Sequence, residues 1–249
     1  SNPLAEPHIP PVVPPVHPPQ PTMPLNVPDE LMMRLVQGVF GANNRMFTKQ
    51  GAGTAALLGF LLGFMLAAGF GLFVFTDTLF GFGLFMCFQA FFHISEYLCV
   101  AKFNPDQCSA DSFLLNHSPE FIMAMCAAVV EHFVELWLFP SLKTCPIVYL
   151  GAVMAIAGQS LRLAALIFAG HNFTHQIAYE KKPEHRLVTH GPYRIARHPG
   201  YAGWFWWSVA TQIVLVNPIC IVGFAAASWK FFSERIRGEE ELLVEFFPG

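Results

Sequence analysis

The sequence predicts an all-α, polytopic membrane protein, and three observations carry that prediction. Apolar residues make up 54% of the chain, with 26 Phe, while charged residues make up only 12%. A soluble domain usually carries about a quarter charged residues. The apolar content also comes in runs, over 53–75, 79–101, 120–139, 146–170, 202–216 and 218–232. The longer four match the roughly 20 residues that span hydrocarbon, and the last two are shorter, giving about six visible spans. Leu57 to Phe75 holds no charge at all, which argues against a large soluble helical core.

The third observation is sidedness. The net charge of −3 says little for a membrane chain, because the distribution of Lys and Arg carries the orientation. With each run crossing once, Arg34, Arg45, Lys49, Lys102, Lys181, Lys182, Arg186, Arg194, Arg197, Arg235 and Arg237 share one side, and only Lys143 falls opposite. The rule that positive loops stay inside puts the larger group, with the C-terminal segment, in the cytosol.

In chain order, residues 1–28 hold 11 of the 20 prolines and read as an extended tail with no apolar stretch like that of a secretion signal. Residues 29–50 alternate as an amphipathic interfacial helix, with Leu31, Leu35, Val36 and Val39 on one face and Arg34, Asn43 and Arg45 off it. Residues 51–170 hold the first four spans. Gly59, Gly63, Gly69, Gly71, Gly81 and Gly83 invite close helix contact in the first two. Neither Gly51-Ala-Gly53 nor Gly81-Phe-Gly83 has the third glycine or the preceding strand of a dinucleotide fingerprint, so a Rossmann-type cofactor domain is unsupported.

Polar groups inside spans are costly and must face protein, water or a ligand. His93 and Glu96 sit three apart, Glu131 and Glu135 share a helical face beside His132, and Gln159 and Arg162 share another. Two readings stand for Arg162: an interhelical ion pair with Glu131 or Glu135, or a direct substrate role. In the polar connection 111–120, Ser118 or Asn116 caps a helix that begins near Pro119.

Residues 171–249 form a basic, His-rich loop followed by two helices. His171 and His175 would suit a metal if helical, but no HxxHH box or carboxylate repeat accompanies them, so no metal is expected. Six cysteines without a CxxC pair suggest neither a disulfide frame nor a zinc site. Tyr201 to Asn217 and Pro218 to Glu234 read as helices joined at an Asn-Pro turn. Such a hairpin returns the chain to its start, bringing Arg235, Glu239 and Glu240 beside His198 and Tyr201, so one pocket draws on the loop and the C-terminal segment together.

Several stretches resemble the isoprenylcysteine carboxyl methyltransferase family. They are His185, Leu187, Val188, Gly191 and Tyr193, then Arg197-His198-Pro199-Gly200-Tyr201-Ala202-Gly203, then Glu239-Glu240 with Leu243. The Arg-His-Pro-x-Tyr-x-Gly core is far more selective than a lone GxGxxG, and membrane phospholipid methyltransferases share it more loosely. Asp111-Ser-Phe-Leu-Leu-Asn-His-Ser118 and Ser95-Glu-Tyr-Leu98 resemble the eukaryotic prenylcysteine enzymes in particular. The resemblance implies transfer of a methyl group from S-adenosyl-L-methionine to the C-terminal carboxylate of prenylated cysteine in processed CaaX proteins of the small GTPase class. It implies a multi-pass protein of the endoplasmic reticulum membrane with its site facing the cytosol. It assigns the cofactor to His185, Arg186, Leu187, Val188, Tyr193, His198, Pro199, Gly200, Tyr201 and Glu239, and the substrate to Arg235, helped by Arg162.

Chemically, Glu239 suits the cofactor's amino or ribose groups, and aromatic rings suit adenine and the sulfonium. Arg235 suits a carboxylate in a two-pronged geometry; the alternative for Arg235 and Arg237 is a basic pair facing anionic lipid. Within enzymes the alternative is phosphatidylethanolamine N-methylation, which needs proton loss from an amine and no carboxylate-binding Arg. A catalytically silent scaffold is the alternative from another class. The eukaryotic family usually has eight spans, with Pro-rich sequence here where an opening pair is expected. Beyond Phe247 only Pro248-Gly249 stand where a closing tail is expected, and Ala178 replaces a polar cofactor contact.

Overall fold

A computed structural model describes Leu31, Arg34 and residues 45–116, 118–143, 145–175, 181, 183 and 185–247. Residues 1–28, most of 29–44, Ala178 and Lys182 lie outside the described set, and with them the Pro-rich tail and most of the expected interfacial helix. Within that helix, Leu31 and Arg34 are helical and Arg45–Phe47 is a 3₁₀ turn.

Six α-helices fall wholly among the described residues, which include no strand: α1 (Ala52–Phe75), α2 (Phe80–Phe103), α3 (Pro119–Leu138), α4 (Cys145–Ala169), α5 (Pro199–Leu215) and α6 (Pro218–Phe246). The first four are long and apolar enough to cross a membrane. The two shorter runs differ. They fall in α5 and α6, which pair as the expected hairpin across Asn217-Pro218. α5 has 17 residues, with Ser208, Thr211 and Gln212 buried on it, and α6 runs on to Phe246 as a charged second half.

Local chemistry sets the ends. The Ser118 hydroxyl accepts from the Phe121 N–H at 3.2 Å, with Pro119 at the first helical position. Large apolar side chains such as Phe60, Phe64, Phe75, Trp137 and Ile156 stay exposed, as outward surfaces in contact with hydrocarbon would. Small residues set the close contacts. A Cβ on Gly69 would lie 2.7 Å from the Gly83 carbonyl, joining α1 to α2, whereas Gly59, Gly63 and Gly71 face open space and pack on nothing. Between α4 and α5 the approach is equally tight. A Cβ on Gly158 would sit 2.6 Å from the Trp207 nitrogen, and one on Gly203 2.6 Å from the Arg162 nitrogen. Trp207 in turn stacks on Phe92 of α2 at 4.0 Å between centroids, so α2, α4 and α5 form the centre of the bundle.

A polar clasp fixes the hairpin turn. Val216 sits in the left-handed region at φ 54, an expensive conformation for a β-branched residue. Lys143 donates to the carbonyls of Leu215 (2.8 Å) and Val216 (3.0 Å), which a helix end leaves unpaired, and to Glu135 at 2.6 Å. Glu131 accepts the Ile219 and Cys220 N–H groups at 2.7 and 2.8 Å, a carboxylate at the positive end of α6. Glu131 and Glu135 thus serve the turn and lie at the opposite end of the bundle from the basic loop.

Candidate active site

The site forms where the start of α5 meets the second half of α6. Pro199 opens α5 without needing an N–H partner, and the next turn presents Tyr201. Arg235 and Glu239, four apart, share a face of α6. The Tyr201 hydroxyl donates to Glu239, and Arg235 Nε donates to the Tyr201 oxygen at 2.8 Å and to Glu239 at 3.3 Å. Arg235 Nη2 donates to the His175 carbonyl at 2.6 Å. His198 meets both neighbouring carboxylates, with Nε2 2.7 Å from Glu240 and Nδ1 3.5 Å from Glu239. Its ring stacks on Tyr201, which stacks on Phe232.

Beside this network opens a cavity of about 210 Å³. One wall is the turn after α4 and the loop segment from His185 to Val188; the other is Glu239, Leu242, Leu243 and Phe246 of α6. The turn is held from below, where Asn104 donates to the Phe173 carbonyl at 2.8 Å and Asn172 accepts the Arg186 N–H at 2.9 Å. A smaller recess of about 20 Å³ adjoins it, bordered by Leu114, Arg162, Trp204, Phe231 and Arg235. Tyr201, Phe173 and Thr174 border both spaces, so they are neighbouring chambers with a shared wall.

Charge in the first chamber is balanced in a definite way. For Glu239, burial acts to raise the pKa, but hydrogen bonds from His198 and Tyr201 and the Arg235 charge outweigh it and hold the carboxyl below its usual range. For His198, burial acts to lower the pKa, and the hydrogen bonds to Glu239 and Glu240 outweigh it, lifting the imidazole above its usual value. Glu240 is held down chiefly by its hydrogen bond from His198. A carboxylate stays ionised here without being stranded from positive partners.

The isoprenylcysteine carboxyl methyltransferase family matches residues 150–245. A protein-S-isoprenylcysteine O-methyltransferase from Dictyostelium discoideum is 47% identical over 176 residues, covering 71% of this chain and 74% of that one. The chain belongs to the isoprenylcysteine carboxyl methyltransferase family. Its counterpart from Tribolium castaneum is 47% identical over 149 residues, and there the match covers 59% of this chain and 53% of that one. A solved eukaryotic intramembrane Ras methyltransferase is 39% identical, with a TM-score of 0.78 over 89% of this chain and 81% of that one.

In this family member the sequence-derived residues are largely brought together. His185, Arg186, Leu187, Val188, Tyr193, His198, Gly200, Tyr201 and Glu239 all border the larger chamber. Pro199 does not; it is buried at the helix start and sets the backbone instead. Arg235 borders the smaller recess, as does Arg162. The expected partner of Arg162 is wrong: Glu131 and Glu135 hold the far turn, and Glu96 of α2 binds Arg162 instead, accepting from Nε at 2.8 Å and Nη2 at 2.9 Å. His171 lies on a 3₁₀ turn and His175 on the irregular chain after it, so the helical spacing a shared metal would need is not formed. Sequence reasoning missed Ala169, Asn172, Phe173, Thr174, Leu242, Phe246 and Phe247. Leu242 and Phe246 were signalled by their spacing from Glu239 along one helical face, and the others by nothing.

Proposed function

We propose that this chain transfers a methyl group from S-adenosyl-L-methionine to the C-terminal carboxylate of a prenylated cysteine, giving a methyl ester. The Dictyostelium relative, matched over 71% of this chain, is named a protein-S-isoprenylcysteine O-methyltransferase, the solved structure, matched over 89%, is of an isoprenylcysteine carboxyl methyltransferase, and the reading as an enzyme of prenylcysteine rests on those matches. The observation that carries the chemistry is the pair of chambers sharing the wall of Tyr201, Phe173 and Thr174. The larger sets the Glu239 carboxylate among aromatic and basic side chains, and the smaller holds Arg162 and Arg235 with no carboxylate among its described lining.

The larger chamber fits a sulfonium cofactor because it combines the ionised Glu239 with the Tyr193, Tyr201 and Phe246 rings, the groups that suit amino, hydroxyl and sulfonium-bearing parts. When bound, that cofactor supplies an electrophilic methyl carbon. His185 to Val188, with Leu242, Leu243 and Phe246, would hold it and shield it from water. Arg235 orients the substrate carboxylate in the adjoining recess without protonating it. An α-carboxyl with a pKa near 3.3–3.7 is already ionised at neutral pH, so no general base is required. Alignment is what the site contributes, and it can account for roughly 7–11 kcal/mol of the barrier. Opposite charges cancel as the methyl moves, so a dry chamber favours transfer.

The prenyl chain partitions into the bilayer, at about 0.8 kcal/mol per buried CH₂, and approaches past Leu114, Trp204 and Phe231. The positive-inside pattern supports a cytosolic site; the proposed setting is the endoplasmic reticulum membrane, with processed CaaX proteins of the small GTPase class as substrates. Phosphatidylethanolamine N-methylation is not favoured, since an amine nucleophile has no use for Arg235. The test is methyl transfer from a radiolabelled donor to farnesylcysteine and geranylgeranylcysteine analogues, with phosphatidylethanolamine as the contrast. Arg235→Ala abolishes ester formation and leaves S-adenosylhomocysteine binding largely intact. Retained turnover refutes the role of Arg235.

A further inference from the structure

Beside the smaller recess lies an ion cluster of Glu96, Arg162 and His175, the last two of which border that recess, and it reaches Arg235 by a short route. Glu96 is 0% exposed and Arg162 1%, and the Arg162 guanidinium lies between the rings of Phe173 (4.9 Å) and Trp204 (5.2 Å). Arg162 Nη1 also donates to the Gly200 carbonyl at 3.3 Å. The second Glu96 oxygen takes a further bond, from His175 Nε2 at 2.7 Å. That bond needs only an Nε2–H, which the neutral ring supplies in one tautomer.

His175 stands on irregular chain just after the turn that follows α4, where no helix or strand ladder fixes the backbone. Its carbonyl is nevertheless the acceptor for Arg235 Nη2 at 2.6 Å. The side chain is anchored to a fully buried carboxylate, and the main chain of the same residue holds the arginine. We infer that Glu96 and His175 are positioning residues for the carboxylate-binding step: Glu96 fixes His175, and His175 fixes the Arg235 guanidinium against Tyr201 and Glu239. This rests on the proposed role of Arg235. It adds that the affinity for the substrate carboxylate is set two residues away, inside the bundle.

The sequence offers no hint of it. Glu96 and His175 are 79 positions apart, and a lone histidine in a loop reads as a solvent-facing or metal-seeking side chain.

The experiment uses the full chain in detergent. His175→Leu removes the anchor from a residue that is not fully buried, and His175→Gln retains an amide N–H near the Nε2 position. The expected result is a KM for the farnesylcysteine analogue raised about tenfold in His175→Leu, the loss of roughly one good hydrogen bond. The dissociation constant for S-adenosylhomocysteine stays within about twofold, because ordinary affinity changes of that size fall below one such bond, and His175→Gln recovers most of the loss. In an Arg235→Lys background, where the two-pronged contact is already gone, His175→Leu has no further effect on KM. Wild-type KM in His175→Leu, equal loss of cofactor binding, or a full additional loss in the Arg235→Lys background each overturns the inference. Unimpaired ester formation by Arg235→Ala instead overturns the underlying role of Arg235, so the two failures are separable.

Discussion

Truncating Glu96 to Ala is the most demanding perturbation of this molecule. The carboxylate accepts Arg162 Nε (2.8 Å), Arg162 Nη2 (2.9 Å) and His175 Nε2 (2.7 Å), with no exposed surface on the glutamate. After truncation, Arg162 keeps the Gly200 carbonyl at 3.3 Å and two aromatic faces. Both faces, worth about 2 kcal/mol or more each when desolvated, are already in contact before truncation, so neither offsets the lost counter-ion. Removing one partner of a buried pair costs about 3–5 kcal/mol because the survivor is left charged and unpaired. For a chain of this size that corresponds to a melting point lower by about 6–20 °C. Thermal unfolding in detergent, followed with a thiol-reactive dye at the free cysteines, reads the change. The double variant Glu96→Ala, Arg162→Met removes the stranded charge, and such apolar replacements are commonly neutral or better. It regains much of the lost stability while methyl transfer stays low, since neither His175 nor Gly200 is held. A single variant melting within about 2 °C of wild type, or a double variant melting no higher than the single, refutes the reasoning.

Two further outcomes follow from the charge map. Lys143→Met leaves Glu135 and the carbonyls of Leu215 and Val216 without their donor, and the hairpin that aligns Tyr201 with Glu239 loosens. It lowers the melting point by a comparable amount and reduces methyl transfer with it; a variant with wild-type stability and turnover contradicts the clasp. The His198 network gives a pH signature. The raised His198 pKa makes its contribution complete below the ordinary value of 6.5 and lost as pH rises through the folded value. The lowered Glu239 pKa makes its contribution complete above 4.5 and lost as pH falls through the folded value. The stability advantage of wild type over His198→Gln, about 1 kcal/mol for a partly exposed pair, is therefore largest between about pH 4.5 and 6.5 and shrinks at alkaline pH. An advantage that grows above pH 8 contradicts the assigned pairing.

Much of this architecture is legible in the sequence because hydrocarbon is a strict solvent. Runs of about 20 uncharged residues have few folded alternatives to a span, and Asn217-Pro218 between two apolar runs has few alternatives to a turn. The Ser118-Pro119 cap is equally explicit. Partner choice inside the bundle is not legible. Three carboxylates, Glu96, Glu131 and Glu135, lie on spans and are chemically equal claimants for Arg162. What decides among them is the close approach of α4 to α5 at Gly158 and Gly203, with Trp207 stacked on Phe92, which seats α2 beside Arg162. Spacing within one helix carries no information about which neighbour it meets. The larger chamber was half legible for the same reason: its α5 and loop residues belong to a recognisable motif, whereas Asn172 enters through a turn whose direction depends on Gly170 at φ 56.

The central claim is that the loop from His185 to Val188 and the second half of α6, far apart in sequence, enclose one methyl donor. A structure of the full chain with S-adenosylhomocysteine bound tests it most directly. The account predicts the ligand between His185–Val188 and Glu239, in contact with Tyr201, with its sulfur turned toward Arg235. Density elsewhere, or a ligand touching only one of the two segments, contradicts it.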